Sequence, residues 1–481
     1  PPSAARRTRL PRGPSCMFAA LALTARPATL LAMTPDKVCT PHTDRGHAVA
    51  GRRVSVVTFG CRVNQYESEM MLRSLRECGA LVADGGDADV VLLNACTVTA
   101  LAEHKARQAA RRARVAHPGA VVVLIGCLAD AVDRGLTRFE EADLLAGGAW
   151  KPRVADAVAA ALAGRRGLLP RAESLPLDEE RVSRSALRVR AFLKVQDGCD
   201  HACTYCRPTL VRGPSRSKSP GVAFEEAAAL VAAGVPEIVV TGVDLAGYSA
   251  SGTSLATLLR RLLELQGLRR LRIASLNVDG VTDALLDAFR QDTRLCRHLH
   301  IPIQSGDDHV LAAMGRRHTV DQFRCAVERV RSVLPDATFG TDLIVGFPGE
   351  TDAAFERTCR LVEDIGFSNL HVFRFSPRPG TPAASFPDAV SGLAQRARAQ
   401  RVLDVWRPVL GRMLDARMGT VEDVLVEEQD GARHCGYTSD YIRVAFDSAK
   451  PRPIGTECPV RVTGRSPEGL EGVSEDRDDP E

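Results

Sequence analysis

At 481 residues the chain exceeds what one ordinary hydrophobic core serves and points to roughly two to four domains. Its 45% apolar and 25% charged residues read as soluble and globular, and no uninterrupted apolar stretch is long enough for a membrane span. The net charge of +4 would suit a nucleic-acid partner, but the basic residues are nearly all Arg in an Ala-rich chain, a bias that GC-rich coding also produces, so charge alone decides nothing.

Residues 1–51 begin with Pro1 rather than Met, carry Arg6, Arg7, Arg9 and Arg12, and hold a short apolar run from Met17 to Leu23. An Arg-rich, acid-poor start has the composition of an organellar transit peptide. The alternatives are a disordered extension, or upstream sequence read through from a start at Met17 or Met33. This leader is left out of the predicted fold.

From Arg53 the pattern turns to strand and helix. VSVVTFG (Val54 to Gly60), ADVVLLNAC (Ala88 to Cys96) and AVVVLIGC (Ala120 to Cys127) are apolar, β-branched strand runs, with a helix expected from Glu67 to Cys78. The alternation predicts a small parallel α/β domain over residues 52–150. Each run ends at a cysteine, and the carboxyl ends of parallel strands gather on one edge, so Cys61, Cys96 and Cys127 should converge. Residues 151–188 read as an Ala-rich helix followed by a Gly- and Pro-bearing linker.

A second alternation fills residues 189–415, with strand runs at RAFLKVQ, Pro236 to Gly242, Arg269 to Ser275, His298 to Gly306, Thr338 to Gly349 and Leu370 to Ser376. Strands with helices between them predict an open barrel of parallel strands. Residues 416–466 differ in kind: TVEDVLVEEQDG, YIRVAF and CPVRVTG are short alternating strands, as in a small antiparallel β-barrel, and residues 467–481 read as an acidic tail.

Fourteen cysteines would mean disulfides in an exported protein; a chain of this size needs no such staples, so the thiols read as metal ligands in a reducing, cytoplasmic setting. Cys199, Cys203 and Cys206 form a CxxxCxxC loop after a strand. Three thiolates suit an iron–sulfur cubane with one iron left open, which can chelate the amino and carboxylate groups of S-adenosylmethionine. A zinc knuckle is the rival, with His201 as the tempting donor, but zinc wants a fourth ligand at its own spacing. Cys16, Cys39, Cys78, Cys296, Cys325, Cys359, Cys435 and Cys458 read as core or incidental.

The segments TFGCRVNQYESEMM, NACTVTA, LIGCLAD, FLKVQDGCDHACTYC, RGPSRS, IVVTGVDL, HLHIPIQSG, DLIVGFPGET and FRFSPRPGTPAA, in that order, resemble the methylthiotransferase family of radical S-adenosylmethionine enzymes. The resemblance runs from Arg53 to about Gly464 and implies an amino-terminal cluster domain, a partial (β/α) radical barrel and a carboxy-terminal TRAM barrel that holds RNA. Val63-Asn64-Gln65-Tyr66-Glu67-Ser68, FRFSPRPGTPAA and GYTSDYIRV resemble the branch that acts on N6-threonylcarbamoyladenosine at adenosine 37 of tRNA. The isopentenyladenosine branch usually has Gly-Cys-Gln-Met-Asn around the first cysteine, and the ribosomal-protein branch Gly-Cys-Pro-Lys-Asn.

The resemblance implies two [4Fe-4S] clusters. That of Cys199, Cys203 and Cys206 would cleave S-adenosylmethionine to a radical that abstracts hydrogen from C2 of the adenine. That of Cys61, Cys96 and Cys127 would present the methylated sulfur. Thr241, Gly242, Gln304, Ser305 and Gly346 are the expected S-adenosylmethionine contacts, each also explicable as a strand-end turn. Expected partners are the tRNA anticodon loop, an electron donor such as flavodoxin or ferredoxin, and a sulfur donor, with no membrane. Arg433, His434, Arg443 and Arg461 are candidate phosphate contacts. Two segments depart from the family: Arg207-Pro208-Thr209-Leu210-Val211 replaces an apolar pair, Pro, an aromatic or Leu, and Ala, and Ala274-Ser275-Leu276-Asn277-Val278 stands for Ser-Ser-Leu-Glu-Pro. The rival functions are methylthiolation of isopentenyladenosine, a non-catalytic iron–sulfur RNA-binding paralogue, and a zinc-stabilised structural protein.

Overall fold

The computed structural model describes residues 46–82, 87–183 and 189–475; the expected leader up to residue 45, with Cys16 and Cys39, and the last acidic residues lie outside them. The first unit is a sheet of six strands, β1 (Arg53–Thr58), β2 (Leu81–Val82), β3 (Val90–Asn94), β4 (Val121–Ile125), β5 (Leu144–Ala146) and β6 (Gly167–Leu168), in the order β2-β1-β3-β4-β5-β6. All its pairings are parallel. Every residue of β3 is buried because helices cover both faces. Val90 and Leu92 pack with Met70 and Val158 of one helix layer, while Val91 and Leu93 pack with Ala106 and Ala110 of the other.

The unit is larger than the sequence suggests. Gly46–Val49 form a helical turn whose Val49 is fully buried, so the fold reaches into the stretch expected as leader. The first long helix spans Arg62–Glu77, starting well before Glu67, because Cys61 already stands in the extended N-cap conformation (φ −78°, ψ 176°). The expected linker packs instead of spanning solvent: β6 joins the sheet, Val182 is buried, and the Glu180 carbonyl accepts hydrogen bonds from Tyr66 and Lys218, both at 2.6 Å.

The second unit carries β7 (Arg190–Lys194), β8 (Glu237–Thr241) and β9 (Arg270–Ile273) in one parallel group and β10 (His298–His300), β11 (Thr338–Val345) and β12 (Asn369–Arg374) in another. Parallel bridges Leu271↔Leu295 and Ser275↔His300 join the groups into an open arc, the expected partial barrel. Among the described residues no helix is long and apolar enough to cross a membrane.

The C-terminal unit is a closed barrel of β13 (Val421–Asp430), β14 (Arg433–Tyr437), β15 (Arg443–Asp447), β16 (Glu457–Ser466) and β17 (Gly469–Ser474). It is not wholly antiparallel, since β15 and β17 pair in parallel. Nor does it stop at residue 466: β17 lies in the expected tail, where Leu470 points into the core and the outward Glu471 disguises the strand. The barrel docks on the arc through arginines. Arg270 donates to the carbonyls of Tyr437 and Asp423, both at 2.9 Å, and Arg272 pairs with Glu237 at 2.7 Å and donates to the Ser439 carbonyl at 2.9 Å.

Candidate active site

Cys61, Cys96 and Cys127 follow the carboxyl ends of β1, β3 and β4, which are adjacent in the sheet. The topology therefore brings them to one edge, as expected. Gly60 has φ +120°, and a Cβ there would run into the Cys96 side chain, so only glycine lets the first two approach. Cys96 and Cys127 are buried and Cys61 is exposed. Burial, then Cys61 and Cys127, push the Cys96 thiol far above its usual range; burial likewise raises Cys127, against the pull of Arg212 and Lys151.

Cys199, Cys203 and Cys206 share one loop beyond β7. Burial pushes Cys199 up to about 11 and Cys206 up to about 12, with neighbouring thiols adding to both. The loop is pinned from the facing segment: Thr204 N donates to the Met314 carbonyl at 2.9 Å, and Arg316 Nη1 lies 3.7 Å from Cys203 Sγ. His201 does not complete a zinc knuckle with these thiols. Its Nε2 lies 3.0 Å from Asp244, and the close donor group Cys199–His201–Asp244 leaves Cys203 and Cys206 unused.

Asn277, in one of the two segments that depart from the resembled family pattern, bridges Asp244 and Arg316. Its Nδ2 donates to Asp244 at 2.9 Å and its Oδ1 accepts from Arg316 at 3.0 Å. A Glu there would set a second carboxylate against Asp244; the carboxamide satisfies both neighbours without that repulsion. Arg207, the other conspicuous departure, is buried with Arg378 on the Glu103 carboxylate, and so ties the residue after Cys206 to the helix after Cys96. Burial, with Arg378 beside it, lowers the Arg207 pKa.

The expected cofactor contacts fall at strand ends around the loop. Thr241 is buried and its carbonyl accepts from Val195 N at 3.0 Å. At Gly242 a Cβ would lie 2.8 Å from Gln196 Oε1, the atom that accepts from Val243 N and Asp244 N at 2.9 and 2.7 Å. Gln304 sits at φ +74°, pinned by Asp342 and Ile344 backbone bonds of 2.9 Å each, a backbone strain of the kind stored at functional sites. Ser305 is fully buried beside it. Gly346, at φ +73°, donates to Glu350 at 2.6 Å and is covered by Gln395 of the helix Gly392–Asp415, so its glycine is required by the turn and by this packing.

Sequence reasoning missed the charged core that joins the two units. Glu67 accepts from Lys194 at 3.0 Å and Arg212 at 2.9 Å and also pairs with Lys151; Asp197 receives Lys194 at 2.9 Å and Arg212 at 2.8 Å. Arg212 reaches Asn64 at 2.8 Å as well. Burial works against the Glu67 carboxylate, yet Arg212, Lys151 and Lys194 hold it well below the usual carboxylate range. The available signal was Lys194 itself, a lysine inside an apolar strand run. Arg212, on the short helix Pro208–Arg212 that follows Cys206, bears electrostatically on Cys96 and Cys127 of the other unit.

On the C-terminal barrel, Arg433, Arg443 and Arg461 are at the surface, each already near an acidic partner. His434 is not available to phosphate: it is buried and stacked on Phe446 at 5.3 Å, because its position in β14 points inward.

The Radical SAM superfamily model matches residues 193–362, and the model described as Uncharacterized protein family UPF0004 matches residues 53–147. The chain is 38% identical over 423 residues to the threonylcarbamoyladenosine tRNA methylthiotransferase MtaB of Thermotoga maritima, covering 87% of this chain and 96% of that protein. It is 35% identical over 431 residues to the tRNA-2-methylthio-N(6)-dimethylallyladenosine synthase of Cereibacter sphaeroides, covering 88% and 98%. Among solved structures, the radical S-adenosylmethionine methyltransferase TsrM of Kitasatospora setae superposes with a TM-score of 0.52 at 14% identity, over 79% of each chain, which speaks to the fold alone. Since the two matched models fall on the two α/β units that carry the cysteines, and the relatives align over nearly their full length, the chain belongs to the radical S-adenosylmethionine methylthiotransferase family.

Proposed function

We propose that the protein joins a methylthio group to C2 of N6-threonylcarbamoyladenosine at adenosine 37 of tRNA. The observation that carries this reading is the buried Glu67–Arg212–Asp197 junction, which joins the unit bearing Cys61, Cys96 and Cys127 to the unit bearing Cys199, Cys203 and Cys206. The family supplies S-adenosylmethionine and a [4Fe-4S] cluster. Cys199, Cys203 and Cys206 fit that cluster by chemistry: three soft donors on one loop, with Arg316 beside Cys203 to offset thiolate charge. Cys61, Cys96 and Cys127 fit a second cluster, since three soft donors follow neighbouring strands onto one sheet edge. When bound, the first cluster supplies the electron that cleaves S-adenosylmethionine, chemistry that side chains lack and that an unactivated C2–H requires.

The protein's own task is position and exclusion of water. Gln196 holds the Gly242–Asp244 turn against the cysteine loop, Asn277 fixes Asp244 and Arg316 together, and the charged junction keeps the two cysteine edges in register. The surface arginines of the C-terminal barrel suit an anticodon stem. An electron donor such as flavodoxin or ferredoxin, a sulfur donor and a reducing cytoplasm complete the proposal. The threonylcarbamoyl substrate is favoured over isopentenyladenosine because the higher of the two identities is to the relative named for it.

Iron and acid-labile sulfide analysis of anaerobically reconstituted protein tests the metal assignment. About eight irons per chain are expected, falling to about four in Cys203→Ala and about four in Cys96→Ala. Zinc in place of iron, or one cluster lost in neither variant, would refute it.

A further inference from the structure

All three units meet at one aromatic side chain. Tyr441 lies in the turn between β14 and β15 at φ +70°, a left-handed conformation that a bulky residue adopts only where its surroundings impose it. The turn is fixed by Tyr441 N donating to the Thr438 carbonyl at 3.1 Å, by Ile442 N donating to Thr438 Oγ1 at 2.9 Å, and by Thr338 of the arc donating to the Asp440 carbonyl. The ring stacks on Tyr437 at 4.9 Å and faces His298 at 5.1 Å. Guanidiniums surround it: Arg272 at 4.8 Å, Arg190 at 5.2 Å and Arg62 at 5.9 Å.

Two of these cations are neutralised, Arg272 by Glu237 and Arg190 by Glu427, each at 2.7 Å. Arg62 is different. Among the described residues it enters no ion pair, and it is half-buried immediately after the exposed Cys61. Two further carboxylates of these elements are also committed, Asp342 to His300 at 3.3 Å and His371 at 3.0 Å, and Asp440 to Arg417. Burial, then Arg272, His300 and Arg62, disfavour a further positive charge on His298, and among the described residues no carboxylate pairs with Arg62. A ring face steadies a guanidinium without consuming its N–H donors, which leaves the planar fork free for a bidentate anion.

We propose that Arg62 and Tyr441 form the specificity subsite for a carboxylate carried on the substrate base. Arg62 pairs with the threonyl carboxylate of the modified adenosine, and Tyr441 backs the planar carbamoyl arm. The C-terminal barrel thus contributes to recognition of the substrate base in addition to any grip on RNA. This inference rests on the substrate proposed above.

The test uses reconstituted full-length protein and anticodon stem-loop RNAs carrying threonylcarbamoyladenosine, its threonyl methyl ester, or isopentenyladenosine, with KM, kcat and equilibrium RNA binding measured for each. Wild type is expected to bind the acid at least about tenfold more tightly than the ester, the worth of one charge-assisted contact. Arg62→Gln should lose that preference, weakening the acid to the level of the ester through KM, with iron content unchanged, while Arg62→Lys recovers part of it. Arg62→Gln retaining the acid preference overturns the subsite. Equal wild-type affinity for acid and ester overturns it equally, even where the variant fails to load its clusters. Wild type that acts on isopentenyladenosine and ignores threonylcarbamoyladenosine overturns the substrate reading, and the subsite with it.

Discussion

Cys96→Ala is expected to abolish methylthiolated product while 5′-deoxyadenosine still forms from S-adenosylmethionine, whereas Cys203→Ala abolishes both. The two thiols sit on different elements, Cys96 after β3 of the first sheet and Cys203 on the loop beyond β7. Neither substitution removes a large buried surface. Cys96 Sγ accepts one weak bond, from Val98 N at 3.4 Å, so its loss costs about 1 kcal/mol and leaves the second unit folded. The loop of Cys203 keeps its anchor at Met314 and Arg316 keeps Asn277. Quantifying both products in single turnovers separates the roles. Product from Cys96→Ala, or 5′-deoxyadenosine from Cys203→Ala, would contradict the division.

Glu67→Ala should be the most destabilising single change in the junction, costing about 3–5 kcal/mol, because it leaves Lys151, Lys194 and Arg212 short of a buried counter-charge. Asp197 remains, but it already serves Lys194, Arg212 and Arg216. The comparison is Arg73→Ala, which breaks an exposed pair with Glu77 in the same helix and is expected to change stability by no more than about 0.5 kcal/mol. Urea unfolding at neutral pH reads both. If Glu67→Ala unfolds no more easily than Arg73→Ala, the junction does not hold the units together. Since Arg212 bears on Cys96 and Cys127 from this network, the same variant should also perturb the visible spectrum of the reconstituted protein.

Much of this arrangement is legible in the chain because it depends on short-range pattern. The runs of β3 and β4 are continuous and apolar since both faces are covered, and a cysteine directly after each strand lands on the carboxyl edge whatever the details of packing. What escapes is short or set by tertiary contact. Strands β2 and β6 have two residues each, too few for periodicity to register. Glu67 looks like a surface charge until the second unit buries it against Lys194. His434 reads as a basic surface residue, yet its strand register turns it onto Phe446. Asn277 and Arg207 stand out as departures in the sequence, and only the structure gives each its partners, Asp244 and Arg316 for one and Glu103 for the other.

The most direct test of the central claim is nucleoside mass spectrometry of total tRNA from cells lacking this gene, and again after complementation with wild type or Cys203→Ala. 2-Methylthio-N6-threonylcarbamoyladenosine is expected to disappear on deletion and to return only with wild type. Its persistence in the deletion strain, or loss of the isopentenyl counterpart in its place, would contradict the account.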